Sequence, residues 1–313
     1  MTQPHVEPAP PRGWEALGLR YYLDGQFAAG GQPAFKHSDS SFERAVALDP
    51  NLIFAAARLI VSRTDRGEIG IASTDASGLV KRRPESASAH FAFSYVLRYA
   101  GLLNDAAREC NTALSLDSNN YQFRTCAWVF MELGKPQRAM DFVRLDASSE
   151  WAAYIAPSIL LRQGKLDEAR ESVKRMSANP RYHRDLLRAC LDPQQATQLK
   201  EAASEVEAAV LVETDPEPRF FQGTILAYCG QEEAAVRVLK SAIEHNYCAY
   251  NSLQTDPLLA RLRGTPKFSD LLSAAKECQN RFVAEQEQSP LWKDADPYIP
   301  ILKEAKAEYA KLQ

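Results

Sequence analysis

Two small residues punctuate the hydrophobic pattern of this chain at a fixed interval. A glycine closes one apolar-periodic stretch, and an alanine lies five residues later, early in the next. The pairs are Gly67/Ala72, Gly101/Ala106, Gly134/Ala139, Gly164/Ala169 and Gly230/Ala235. The spacing predicts helical hairpins. The glycine takes the left-handed C-terminal position that ends the first helix. The alanine is small enough to let that helix pack against the second. Pro50 and Pro84, 34 residues apart, suit the first turn of the helices that follow, with Asp49 as an N-cap. "FERAVALDP" (42–50) lines up with "CNTALSLDS" (110–118) at an offset of 68, twice 34, matching Ala45 to Ala113 and Leu48 to Leu116.

A further glycine stands inside a helical stretch, in "WEALGLRY" (14–21). A mid-helix glycine costs roughly 1 kcal/mol against alanine, and it persists where another backbone must come close. The period, the glycine–alanine spacing and this segment together resemble the tetratricopeptide repeat. That family's first helix reads W-x2-L-G-x2-Y, and Trp14, Leu17, Gly18 and Tyr21 match every position. The resemblance implies an all-α, right-handed superhelical solenoid of antiparallel helix pairs with a C-terminal helical cap. At least twelve helices and no sheet are expected. Seven repeats are read at about 11–50, 51–84, 85–118, 119–148, 149–180, 181–214 and 215–247. "GQFAAGGQPAFKHSD" (25–39) reads as a lengthened turn in the first, and the sixth is degenerate.

The expected organisation is a Pro-rich tail (1–12), the repeat array (13–247), a helical capping module (248–288) and a linker with an amphipathic helix (289–313). The last carries an apolar stripe of Leu302, Ala305, Tyr309 and Leu312. Residues 246–282 break the period, with helix starts at Asp256-Pro257 and Thr265-Pro266. This segment resembles the closing module of repeat arrays that follow a serine/threonine kinase or winged-helix domain in bacterial signalling proteins. No kinase signature is present: neither a Gly-rich loop with its paired lysine, nor H-R-D, nor D-F-G.

Charge narrows the partners. A formal net charge of −3 over 313 residues offers no basic domain for nucleic acid. The N-terminus lacks the charged and apolar regions of a signal peptide, and no run of 18 apolar residues suits a membrane. The expected compartment is the cytoplasm. The six cysteines, none in a C-x-x-C pair, therefore read as buried free thiols, with Cys248 and Cys278 meeting as packed thiols rather than as a disulfide.

No histidine forms H-E-x-x-H or an i, i+4 pair with His or Cys, and no phosphate loop occurs. Glu201, Glu205, Glu207 and Glu213 spread around one helix as a solvated face. The chain is read as a non-enzyme with no catalytic, cofactor or metal site and no small-molecule ligand.

The resemblance implies where binding would occur. In that family the first helices of the pairs line a concave groove. The matching register puts Phe91, Tyr95, Arg98 and Tyr99 there from the third repeat. Tyr121, Arg124 and Trp128 follow from the fourth, and Trp151, Tyr154 and Arg162 from the fifth. Tyr, Trp and Arg are the types enriched at binding hot spots. The positions that read a C-terminal Glu-Glu-Val-Asp peptide in chaperone-binding members hold Glu15 and Leu19 here, which disfavours that partner. The expected function is a scaffold receiving a peptide or helix in the groove. The alternative is the regulatory C-terminal region of a kinase-like or transcriptional signalling protein, and a third reading fills the groove with residues 289–313.

Overall fold

The computed structural model describes residues 10–27, 31–177 and 181–288. The expected N-terminal tail and the segment after 288 thus lie outside the described residues, except for a few at the edge. Among the described residues there are sixteen α-helices and no strand. Fourteen of them form seven successive antiparallel pairs. These are α1 (Pro11–Phe27) with α2 (Gly31–Leu48), α3 (Ile53–Asp65) with α4 (Ile69–Arg82), and α5 (Ala87–Tyr99) with α6 (Leu103–Leu116). Next come α7 (Cys126–Glu132) with α8 (Pro136–Val143), and α9 (Glu150–Arg162) with α10 (Leu166–Lys174). The last are α11 (Arg181–Leu191) with α12 (Leu199–Leu211), and α13 (Pro216–Tyr228) with α14 (Glu232–Glu244). Two further helices, α15 (Tyr250–Thr255) and α16 (Pro266–Gln288), complete the fold.

The hairpin reading holds in atomic detail. The five glycines have φ between 68° and 77°, the left-handed region. The residue after each donates its N–H five positions back, as from Leu102 to the Leu97 carbonyl or Lys135 to the Phe130 carbonyl, at 2.7–2.9 Å. This is the Schellman closure, which satisfies carbonyls that the helix end leaves unpaired. The alanine five residues on is fully buried in each pair. Ala106→Leu is therefore expected to overpack the α5–α6 crossing and to cost on the order of 1–3 kcal/mol, read as a lower denaturant midpoint at unchanged slope.

Gly18 does what its place in the helix implies. A Cβ there would lie 2.7 Å from the ring of Phe42 on α2. Gly223 on α13 plays the same part against Leu239 of α14, also at 2.7 Å.

Four local expectations need correction. Pro50 and Pro84 lie in turns ahead of α3 and α5 rather than inside them. Asp49 Oδ1 accepts from the Asn51 N–H, and Ser86 caps α5 by accepting from the Ala89 N–H. Residues 25–39 do not form a long turn: they extend both α1 and α2, and only 28–30 lie outside the described residues. The fourth pair opens with a 3-10 turn, Tyr121–Thr125, whose tighter winding shifts side chains off the α-helical register. The cysteines are not free thiols. They form three disulfides, Cys110–Cys126, Cys190–Cys229 and Cys248–Cys278.

The array also curls back on itself. Asn246 follows α14 with φ 65°, and the Tyr247 N–H donates to the Ala242 carbonyl at 3.0 Å, so asparagine closes this helix as glycine closes the others. Asn246 Nδ2 then donates to the Gly67 carbonyl at 2.9 Å. The Cys248 N–H donates to the Tyr99 carbonyl at 2.7 Å. On α16, Gln279 Nε2 donates to the Gly101 carbonyl at 2.9 Å. The end of the chain thus grips the closing turns of the second and third hairpins.

Candidate functional site

The inner face of the first helices is packed against α13 and residues 246–258. Arg98 projects from the last turn of α5 and is 1% exposed. Its Nη1 donates to the Tyr247 hydroxyl at 2.6 Å and lies 3.7 Å from Glu132 of α7. Its Nη2 is paired with Glu217 of α13. Tyr247 donates in turn to Glu132, whose other oxygen accepts from Ser252 at 2.7 Å. Beside this lie Tyr95 and Tyr99. Tyr95 donates to Asp65 at 2.8 Å, and Tyr99 donates to Asp215, the N-cap of α13, at 2.7 Å.

Four carboxylates therefore gather around Arg98 and its neighbouring tyrosines, and two of them, Glu132 and Glu217, contact the guanidinium. Burial pushes the Asp65 carboxyl up to about 7, opposed by the Tyr95 hydrogen bond and reinforced by the Glu217 charge. Burial raises Asp215 well above the ordinary range, with the Asp65 charge adding to it, and raises Glu132 despite Arg98. For Arg98, burial alone would lower the guanidinium, but Glu217 and the surrounding tyrosines hold it well above its usual value.

A second inner cluster joins α9 to the chain's end. Arg162 Nη2 and Nε both reach Asp256 Oδ2, at 2.6 and 3.0 Å, and Nη2 also reaches Thr224 of α13 at 3.1 Å. Tyr154 packs against His183, ring centroids 4.2 Å apart, and accepts from Gln222 Nε2 at 3.1 Å. Burial lowers His183 to about 4. The neutral ring fits its contacts: Nε2 faces the Tyr154 carbonyl at 3.2 Å and Nδ1 faces Gln222 Nε2 at 2.8 Å. Trp128 is 4% exposed and meets Phe221 of α13 edge-on, centroids 4.3 Å apart.

The ten expected groove residues thus divide. Arg98, Tyr99 and Trp128 are buried, the Arg162 side chain is enclosed by its ion pair, and Tyr95 and Tyr154 turn inward onto partners within the chain. This corrects the expectation that they line an open surface. The inward-turned residues are covered by the seventh pair and the segment that follows it. Phe91 is half-buried against Phe123 at 5.3 Å. Three remain at the surface edge. Arg124 sits 5.5 Å from both the Tyr121 and Trp151 ring centroids and pairs with Asp146 at 3.3 Å. Tyr121 is 54% exposed, and among the described residues the buried Arg124 Nε–H has no hydrogen-bond partner.

Sequence reasoning missed Asp65, Glu132, Asp215, Glu217, Tyr247 and Asp256. The legible signals were Asp256-Pro257, read only as a helix start, the similar Asp215-Pro216, and "HNYC", where asparagine stands in the place of the closing glycine.

Among the described residues no group of three or more His, Cys, Asp or Glu side chains could hold a metal ion. No described helix is long and apolar enough to cross a membrane. What the hairpins and their inner face define is an all-α, tetratricopeptide-like solenoid whose concave side is filled by its own last pair. No family model matches the chain, and no curated protein does. In structure it is similar to a thermophilic tetratricopeptide repeat protein of Thermus thermophilus, at 18% identity and a TM-score of 0.45, over 61% of this chain and 98% of that one. It is also similar to a tetratricopeptide repeat protein of Parabacteroides merdae, at 14% identity and a TM-score of 0.47, over 84% of this chain and 98% of that one.

Proposed function

We propose that the chain is a non-catalytic protein-interaction scaffold, and that its binding surface is the edge formed by Tyr121, Arg124 and Trp151. The observation that supports this most directly is the arginine held between the exposed Tyr121 ring and the half-buried Trp151 ring. Such a guanidinium, already beside Asp146, attracts a further carboxylate, while the ring faces cover apolar side chains. The favoured partner is a peptide segment with acidic and apolar residues. Because the surface is preformed on stacked hairpins, little ordering cost falls on this protein when it binds.

The reading that used Arg98 and Tyr154 as anchors is narrowed accordingly. A partner reaching them would have to displace α13, which buries Phe220 and Phe221.

The test is a binding titration with a partner recovered by cross-linking, comparing wild type, Arg124→Ala and Tyr121→Ala. Truncating a central anchor typically costs about 2 kcal/mol, roughly thirtyfold in affinity. The expected result is that loss for Arg124→Ala, with an unchanged denaturation midpoint. Equal binding by both variants would refute this site. Sustained substrate turnover, abolished by a single substitution in this chain, would refute the non-catalytic reading.

A further inference from the structure

We propose that this protein folds and works in an oxidising compartment, where its six cysteines are joined as three structural disulfides, one of which locks the array closed. The inference is independent of the binding surface.

It begins with pairing. The cysteines are scattered from position 110 to 278, yet every one has a partner and none is left free. The three Cα–Cα distances are 6.0, 5.4 and 5.2 Å, within the span a disulfide bridges without moving the backbone. Cysteines kept only as small apolar residues have no reason to meet in pairs with none remaining.

Placement adds a second reason. Each bond joins separate elements: α6 to α7, α11 to the end of α13, and residue 248 to α16. In a solenoid, stability resides largely in the interfaces between neighbouring units, and the first two bonds cross such interfaces. The third ties together the two segments that hold the array shut. Cys248 donates its N–H to Tyr99, and Gln279, next to Cys278, donates to Gly101.

Burial decides between a lock and a switch. Cys248 is fully buried and Cys278 is 3% exposed, so a thiol reductant cannot reach the bond in the closed protein. The bond must form before closure is complete. Each one forms as two thiols lose two protons and two electrons to the disulfide of an exchange partner, which leaves as a dithiol. A cytoplasm that keeps thiols reduced does not supply that oxidant. The cytoplasmic expectation drawn from the N-terminal sequence is replaced on this ground.

The test uses the full chain from the cells that naturally make it. Thiols are trapped with N-ethylmaleimide before lysis, labelling is completed under denaturing conditions, and intact mass and a non-reducing digest are recorded. The expected result is no adduct, a mass lower than that of the reduced chain by about six hydrogens, and three linked peptide pairs matching those above. Adducts on Cys248 or Cys278, or six adducts in all, would overturn the proposal.

Discussion

Arg98→Ala is expected to destabilise the protein by about 3–5 kcal/mol, the usual effect of removing one partner of a buried ion pair. Among the described residues the guanidinium is the only cation in contact with Glu132 and Glu217, and it also donates to Tyr247. Without it, two carboxylates stay in the interior facing each other's charge. The attraction that Arg98 supplied is lost, while the desolvation cost remains. The denaturant midpoint of Arg98→Ala against wild type measures this. Adding Glu132→Gln and Glu217→Gln to Arg98→Met should recover much of the loss, because no uncompensated charge is then left buried. A midpoint for Arg98→Ala within about 0.5 kcal/mol of wild type, the range of ordinary surface substitutions, would show that the side chain is in water and that the concave face is open.

The second large effect is on pH. Asp65 is enclosed by Tyr95, Tyr99 and Arg98 of α5, by Asp215 at the N-cap of α13 and by Glu217 within it, with Arg58 on its own helix. Its carboxyl, pushed up to about 7 by burial, binds a proton more tightly in the folded state than in the unfolded chain, where 3.8 applies. The folded state therefore holds more protons between these two values, and stability falls as pH rises through that window. The contribution is intact below about pH 4 and lost above about pH 7. At 1.36 kcal/mol per pH unit the raised carboxyl corresponds to an effect on the order of a few kcal/mol, shared with the neighbouring Asp215. Asp215 is raised by the same burial and adds with the same sign. The measurement is the difference in unfolding free energy between Asp65→Asn and wild type at pH 5 and pH 8. The variant should gain on wild type as pH rises. A constant difference would mean that Asp65 titrates normally.

These two results bear on what kind of solenoid this is. An open array presents its inner face to a partner and tolerates polar residues there at little cost. Here the inner face is part of the core, with Trp128 and Phe221 in contact and Arg162 paired to Asp256. The binding surface proposed above is accordingly an edge around Tyr121, Arg124 and Trp151 rather than a groove.

The sequence by itself determined the repeat. Glycine is required where φ is positive, alanine where two helices cross, and glycine again at position 18, where Phe42 leaves no room for a Cβ. Each requirement is local and recurs, so it appears as a spacing. Of the residues expected on the inner face of the third to fifth repeats, Tyr95, Arg98, Tyr99, Trp128, Tyr154 and Arg162 meet partners within the chain. Only the tertiary structure decided what that face meets. Arg98 finds Glu217 119 residues away, and Tyr247 finds Glu132 across 115. The cysteine pairs span 16, 39 and 30 residues with no common interval. Contacts of this kind depend on how small rotations between successive hairpins add up until the last pair reaches the third. No local residue preference carries that sum, so the closure and its buried charges could be found only in three dimensions.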